Sequence, residues 1–280
     1  MMEFADGSFI DFSDGERLRF RKIVLDVLCE ACSDDDRYNG IGTLGEKQMH
    51  AALKRFVCSD KSKHEIKIDG TEGCIKRDGD AKKRSFVADI LDGDTVYEIQ
   101  TGGFAPMREK IRWIMENTTY NVTVVHPIAS ELWVRYIGED GSIGPRRKSP
   151  KKGKLSDIVG DLYYVREFID SPRFSIALLF IEADSYKKKT VKGKRVRSSK
   201  YELIPNALTS AMLFRNKNDY KVFIPDSLPE QFTVKIYSRE TQITGIDAYS
   251  IVKTLVFLGL LEPCGSIGRA SAYKRADGQV

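Results

Sequence analysis

The chain has 280 residues, 41% of them hydrophobic and 30% charged, with a formal net charge of +5. That length allows two domains, each with an apolar core. No apolar run reaches the roughly eighteen residues that a membrane-spanning helix needs, and the N-terminus lacks a signal-peptide pattern, so the expectation is a cytoplasmic protein with no membrane partner.

The charge is unevenly spread. Residues 1–40 carry ten acids and five bases, which leaves the remainder near +10. A basic body favours a polyanionic partner. The five cysteines, Cys29, Cys32, Cys58, Cys74 and Cys264, are odd in number and scattered, unlike a secreted disulfide framework. Cys29-x-x-Cys32 is half of a zinc pattern with no second pair, and reads as two small apolar residues on a helix.

In chain order, residues 1–13 read as a loose tail. Asp14 to Cys32 reads as a helix with Leu18, Phe20, Ile23, Val24, Val27 and Leu28 at helical spacing. Residues 33–41, with Asp34-Asp35-Asp36, read as a linker. A helix opens at Thr43 and runs to about Cys58. Thr43-x-x-Glu46 fits a capping box, and His50 falls one turn later on the same face, where an ordinary helix histidine is the preferred reading. His64 to Asp69 is a strand, and 70–85 a charged connection.

Phe86 to Leu91 and Thr95 to Thr101 read as two strands around the turn Asp92-Gly93-Asp94. Side chains alternate along a strand, so Glu98 and Gln100 share one face and Tyr97 and Ile99 the other. Asp89 and Glu98 each place an acid inside an apolar strand. A buried carboxylate is costly unless it is paired, and oxygen ligands converging on one spot suit Mg²⁺ or Mn²⁺. The plainer alternatives are a turn-capping Asp89 and a surface Glu98.

The pattern D-(x)8-E-x-Q on a hairpin followed by a helix resembles the core of the PD-(D/E)XK, or restriction-endonuclease-like, nuclease superfamily. The resemblance covers roughly residues 41–182. It implies Asp89 and Glu98 as Mg²⁺ ligands, and Glu46 as the acid that the family often adds from the preceding helix. Gln100 stands where the family usually has Lys, and Ala88 where the motif has Pro. Lys110, on the next helix, could supply the missing cation, with a solvated face as the preferred reading.

Gly102-Gly103 reads as a loop, and Pro106 opens a helix with Met107, Ile111 and Ile114 as its buried stripe. Strands follow at 121–127 and 131–137. The order of helix, three strands, helix, strand implies a parallel crossover in a mixed sheet. Arg146, Arg147, Lys148, Lys151, Lys152 and Lys154 make a basic run without acids. Leu155 to Ile169 reads as a helix and Phe174 to Ile181 as a buried strand. Residues 186–200 read as a basic linker with Lys187, Lys188 and Lys189 at its start. Both runs are expected to meet phosphates, which supplies affinity without sequence information; solvated loops are the alternative.

From Tyr201 to the end the pattern reads as a separate unit. Leu203 to Phe214 is expected as a helix, Phe232 to Tyr237 marks another element, and a helix runs from Thr244 to about Leu258. Two short strands close the chain around Gly265 to Gly268. This part resembles a winged helix-turn-helix over about residues 201–276, with Lys253 on the matching recognition helix and Arg269 in the wing. A winged-helix scaffold used for protein contacts is the alternative.

The expectation is therefore an α/β protein in four parts: 1–40 a tail and helix, 41–185 the nuclease-like domain with a mixed central sheet flanked by helices, 186–200 the linker, and 201–280 a small winged-helix domain. The resemblances imply Mg²⁺- or Mn²⁺-dependent hydrolysis of phosphodiesters in nucleic acid, with double-stranded DNA preferred and a homodimer left open. The alternative is an inactive nuclease fold that binds DNA.

Overall fold

The computed structural model describes residues 9–33, 45–69, 85–138, 140–192 and 195–276, with the backbone alone described at 32–33, 45–47, 189–192 and 195–201. The chain is an α/β protein with a large mixed sheet flanked by helices and a second, smaller sheet. Among the described residues the large sheet has the strand order β1 (Phe9–Asp11), β8 (Arg195–Phe214), β7 (Phe174–Lys192), β5 (Asn121–Ile137), β4 (Thr95–Ile99), β3 (Phe86–Asp92), β2 (His64–Ile68). The short β6 (Arg147–Lys148) pairs beside β5. β4 and β7 both run parallel to β5, and the other pairs are antiparallel.

Strand alternation divides the interior into two layers. Ile176, Leu178 and Phe180 of β7 face one side, and Ala177, Leu179 and Ile181 the other, all buried. A strand covered on both faces can be apolar at every position, which is why this run lacks polar alternation. On one face α1 (Asp14–Ser33) and α2 (Gly45–Val57) contribute Phe20, Val24, Met49, Leu53 and Phe56. On the other, α3 (Arg108–Asn117) contributes Ile111 and Ile114, and α4 (Val159–Val165) contributes Leu162 and Val165.

The small sheet has the order β10 (Leu261–Ile267), β11 (Ala270–Arg275), β9 (Phe232–Thr233), with α5 (Val234–Thr241) and α6 (Gly245–Phe257) between β9 and β10. It has no separate interior. Ala248, Ile251 and Leu255 of α6 join the same apolar cluster as Leu162 and Val165. α6 lies so close to α4 that a Cβ at Gly160 would come within 2.8 Å of the Asp247 carboxylate. Tyr237, fully buried, donates its hydroxyl to the Phe223 carbonyl at 2.7 Å. Tyr237→Phe leaves that carbonyl without its partner, so about 1–2 kcal/mol of unfolding free energy should be lost in a urea titration.

Several expectations are corrected here. Part of the expected N-terminal tail is strand: Phe9–Asp11 pairs with Ser210–Met212. The strands expected at 121–127 and 131–137 are one continuous β5. The expected linker at 186–200 continues β7 and begins β8, paired from Lys187–Lys200 to Lys192–Arg195. Leu203 to Phe214 is strand, not helix. Its apolar residues satisfy helical spacing at 203, 207, 211 and 214, but Leu208, Ala211 and Leu213 pack in one layer and Met212 and Phe214 in the other. Pro205, which lacks the N–H that a helix interior needs, was the available signal. The large sheet therefore extends to Phe214. Residues 34–44, with the acidic triplet, and 70–84 lie outside the described residues.

Candidate functional site

β3 and β4 pair from Asp92–Thr95 to Ile90–Tyr97, and there the ladder stops. Continued one step, the register sets Asp89 opposite Glu98. Ile99's N–H, the next donor on that edge of β4, is taken instead by the Asp89 carboxylate at 2.8 Å. Across β3, Glu65 has a left-handed φ of 54° at the position facing Asp89. Ala88 lies in one apolar layer and Ile90 in the other, so β3 changes face at Asp89. Regular alternation would keep those two residues on one side. The acids thus sit at a fork where the strands part.

Both helix layers reach this fork. His50 of α2 sets Nε2 at 3.2 Å from Asp89 Oδ2. Lys110 of α3 donates to Glu98 Oε2 and to the Val87 carbonyl. Burial works to raise the Asp89 carboxyl, but the His50 imidazole, the Ile99 N–H and the Lys110 ammonium outweigh it and hold the group below the ordinary carboxylate range. Glu98 goes the other way. Only 6% exposed, it is pushed up to about 7 by burial, with Asp89 adding to the rise and Lys110 opposing it. Its Oε1 is buried without a hydrogen-bond partner. An orphaned buried oxygen is expensive unless something else occupies its lone pairs.

Gln100 follows the end of β4, and its side-chain N–H₂ donates to the Gly103 carbonyl at 2.6 Å. Its backbone carbonyl is held by His126 Nδ1 at 2.6 Å. Burial pushes His126 below its ordinary value, and a carbonyl can only accept, so the neutral ring donates from Nδ1. Glu46 lies in the first turn of α2, and its side chain falls outside the described residues. Among the described residues, no group of three or more His, Cys, Asp and Glu side chains is placed to hold a metal ion.

Two readings change. His50 is not an ordinary helix histidine but touches Asp89, and Lys110 lies against Glu98 rather than on a solvated face. The i to i+4 spacing from Glu46 was the signal for His50.

The basic residues fare unequally. Arg146 bonds to Asp184 at 2.8 Å and to Glu182, and its guanidinium lies 4.1 Å from the Trp133 ring centroid. Lys148 bonds to Glu131 at 3.0 Å. These two are committed to acids of the sheet, so the 146–154 run is less available to phosphate than its sequence suggests. Arg146→Ala should cost about 1–2 kcal/mol in thermal or urea unfolding, because Asp184 is buried and loses one of its cations. Arg147, Lys151, Lys152 and Lys188 are exposed, Lys187 is half-buried, and Lys189 is described by its backbone alone. Lys253 is exposed on α6, and Arg269 is exposed in the β10–β11 turn. Lys253's neighbours on the outer face of α6 are Ile246, Tyr249 and Phe257, 80%, 58% and 57% exposed.

The chain is thus an α/β protein with two acids, Glu98 buried and Asp89 half-buried, at a strand fork. A family model described as a domain of unknown function, DUF8091, matches residues 47–215, more than half of the chain, and the protein belongs to that family. The match takes in Asp89, Glu98 and Lys110 and ends one residue after β8. A Treponema pallidum (strain Nichols) protein carrying the name "Uncharacterized protein" is 26% identical over 239 residues, 84% of this chain and 87% of that protein. No solved structure matches the chain. No helix among the described residues is long and apolar enough to cross a membrane.

Proposed function

We propose that this protein is a metal-dependent nuclease with a restriction-endonuclease-like core and a C-terminal winged helix, hydrolysing phosphodiesters of nucleic acid, with duplex DNA preferred. The observation that carries the reading is the orphaned Oε1 of Glu98 beside an Asp89 held in its charged form, at a strand fork lined by Lys110. The chemistry of Asp89 and Glu98, two hard oxygen ligands, fits Mg²⁺ or Mn²⁺, and the resemblance adds Glu46 as a further acid. Such an ion, when bound, supplies Lewis acidity towards a phosphate oxygen.

The protein's own groups do the rest. The Ile99 N–H and His50 both meet Oδ2 of Asp89, and among the described residues the other oxygen is left open to a cation. Lys110 holds a positive charge next to the acids, where negative charge would build on a phosphate in the transition state. His126 anchors the Gln100 carbonyl and so the end of β4. The succession of β9, two helices and a terminal hairpin supports the winged-helix reading. The apolar outer face of α6 favours protein contacts for that unit over base reading.

The test is incubation of supercoiled plasmid with the full chain and Mg²⁺ or Mn²⁺. Nicked or linear product is expected, and Asp89→Ala should remove it. No product with either ion would sink the reading. A nuclease fold that binds without cleaving is the second reading, favoured by the Gln100 amide folded back on Gly103 and by Lys110 seated on Glu98. It predicts no Mn²⁺ affinity dependent on Asp89 and Glu98, which calorimetry decides.

A further inference from the structure

The pairing of β5 with β7 ends at Ile137–Lys188, and beyond it β7 and β8 continue as a two-stranded ribbon to Lys192 and Arg195. Residues 187–200 contain eight bases and no acid. At the base of the ribbon Lys188 is opposite Ser199, and within it Thr190 is opposite Arg197 and Lys192 opposite Arg195. Directly opposed residues of antiparallel strands share a face, and every second pair returns to it. One face therefore carries positions Lys188, Thr190, Lys192, Arg195, Arg197 and Ser199. The other carries the pairs Lys187–Lys200, Lys189–Ser198 and Val191–Val196. Both arginines fall on the first face and both valines on the second. A simple electrostatic tether needs no such sorting.

We infer that this ribbon lies in the major groove of duplex DNA with the arginine face against the base edges. The inference rests on the nucleic-acid reading above and adds where and how the duplex is held. B-form DNA has a major groove about 12 Å wide, which admits a two-stranded ribbon, and a minor groove about 6 Å wide. Arginine pairs in a bidentate fashion with guanine O6 and N7, and serine and threonine bond to either kind of base edge. Lys187, Lys189 and Lys200, on the other face, are left to meet phosphates. A-form RNA has a major groove too deep and narrow for this contact, so duplex RNA is the weaker ligand.

The experiment measures binding in EDTA, which separates it from cleavage. Two DNA duplexes of one sequence are compared, one unmodified and one with glucosylated 5-hydroxymethylcytosine, whose sugars fill the major groove. The full chain should bind the filled duplex at least tenfold more weakly, and netropsin, a minor-groove ligand, should not displace it. Two triple variants then remove equal charge. K192A/R195A/R197A should abolish the difference between the duplexes, whereas K187A/K189A/K200A should weaken both alike and keep it. Equal binding of both duplexes by the unmodified chain would reduce the ribbon to a phosphate tether and overturn the inference, leaving the nuclease reading intact. No affinity for either duplex would remove the nucleic-acid reading and this one with it.

Discussion

Lys110→Met should lower the rate of plasmid cleavage by about a hundred- to a thousandfold, the usual loss when one charge-stabilising donor is removed from an active site. The variant also deprives Glu98 of the ammonium that favours its ionised form. Its carboxyl then rises further, and Mn²⁺ binding should weaken at pH 7. Raising the pH to about 8.5 should restore metal binding to within a few-fold of the unaltered protein, because the ligand must be deprotonated. Cleavage should stay low at that pH if Lys110 stabilises charge on the phosphate. Recovery of cleavage together with metal binding would make Lys110 a positioning residue for Glu98 and nothing more. Calorimetry and initial cleavage rates at the two pH values separate the outcomes.

Glu98 should also impose a pH dependence on stability. Its carboxyl is raised from 4.5 to about 7 in the fold, so between those values the folded chain binds more protons than the unfolded one. Stability from this group is full below the ordinary carboxyl range and falls as pH rises through about 7. The difference of some 2.5 pH units corresponds to roughly 3 kcal/mol. Glu98→Gln keeps the shape and removes the titration. In urea unfolding at pH 5 and pH 8.5, the unaltered protein should lose about 3 kcal/mol more between the two pH values than the Gln variant does. Mn²⁺ should cancel much of that loss, since it binds the charged form. Parallel pH profiles for the two proteins would show that Glu98 stays ionised throughout, held by Lys110.

Much of the fold and some of the site could be read locally. The hairpin of Asp89 and Glu98 rests on turn chemistry at Asp92-Gly93-Asp94 and on apolar runs either side, and both are short-range properties. The helices α1 and α2 and the helix beginning near Pro106 are legible for the same reason: an amphipathic stripe repeats within a few residues. The strand at Leu203 to Phe214 was not legible in this way. Its hydrogen-bond partners are β7 and β1, nearly thirty and two hundred residues away in sequence, one of its faces is covered by α1 and α2, and an apolar run buried on both faces carries no period of its own.

The amino-acid sequence by itself determined which residues could do chemistry here: two acids in adjacent strands, no lysine at position 100, and a stretch of eight bases without an acid at 187–200. What those groups do to one another was decided only by the tertiary structure. His50 meets Asp89 and Lys110 meets Glu98 because two helices on opposite faces of the sheet converge where β3 leaves β4. Arg146 is spent on Asp184 because β7 passes beneath it. The basic stretch is a ribbon because β7 and β8 pair along their whole length. Charge and propensity act within a few residues, whereas pairing, burial and the shift in a carboxyl's pKa depend on what the folded chain brings alongside.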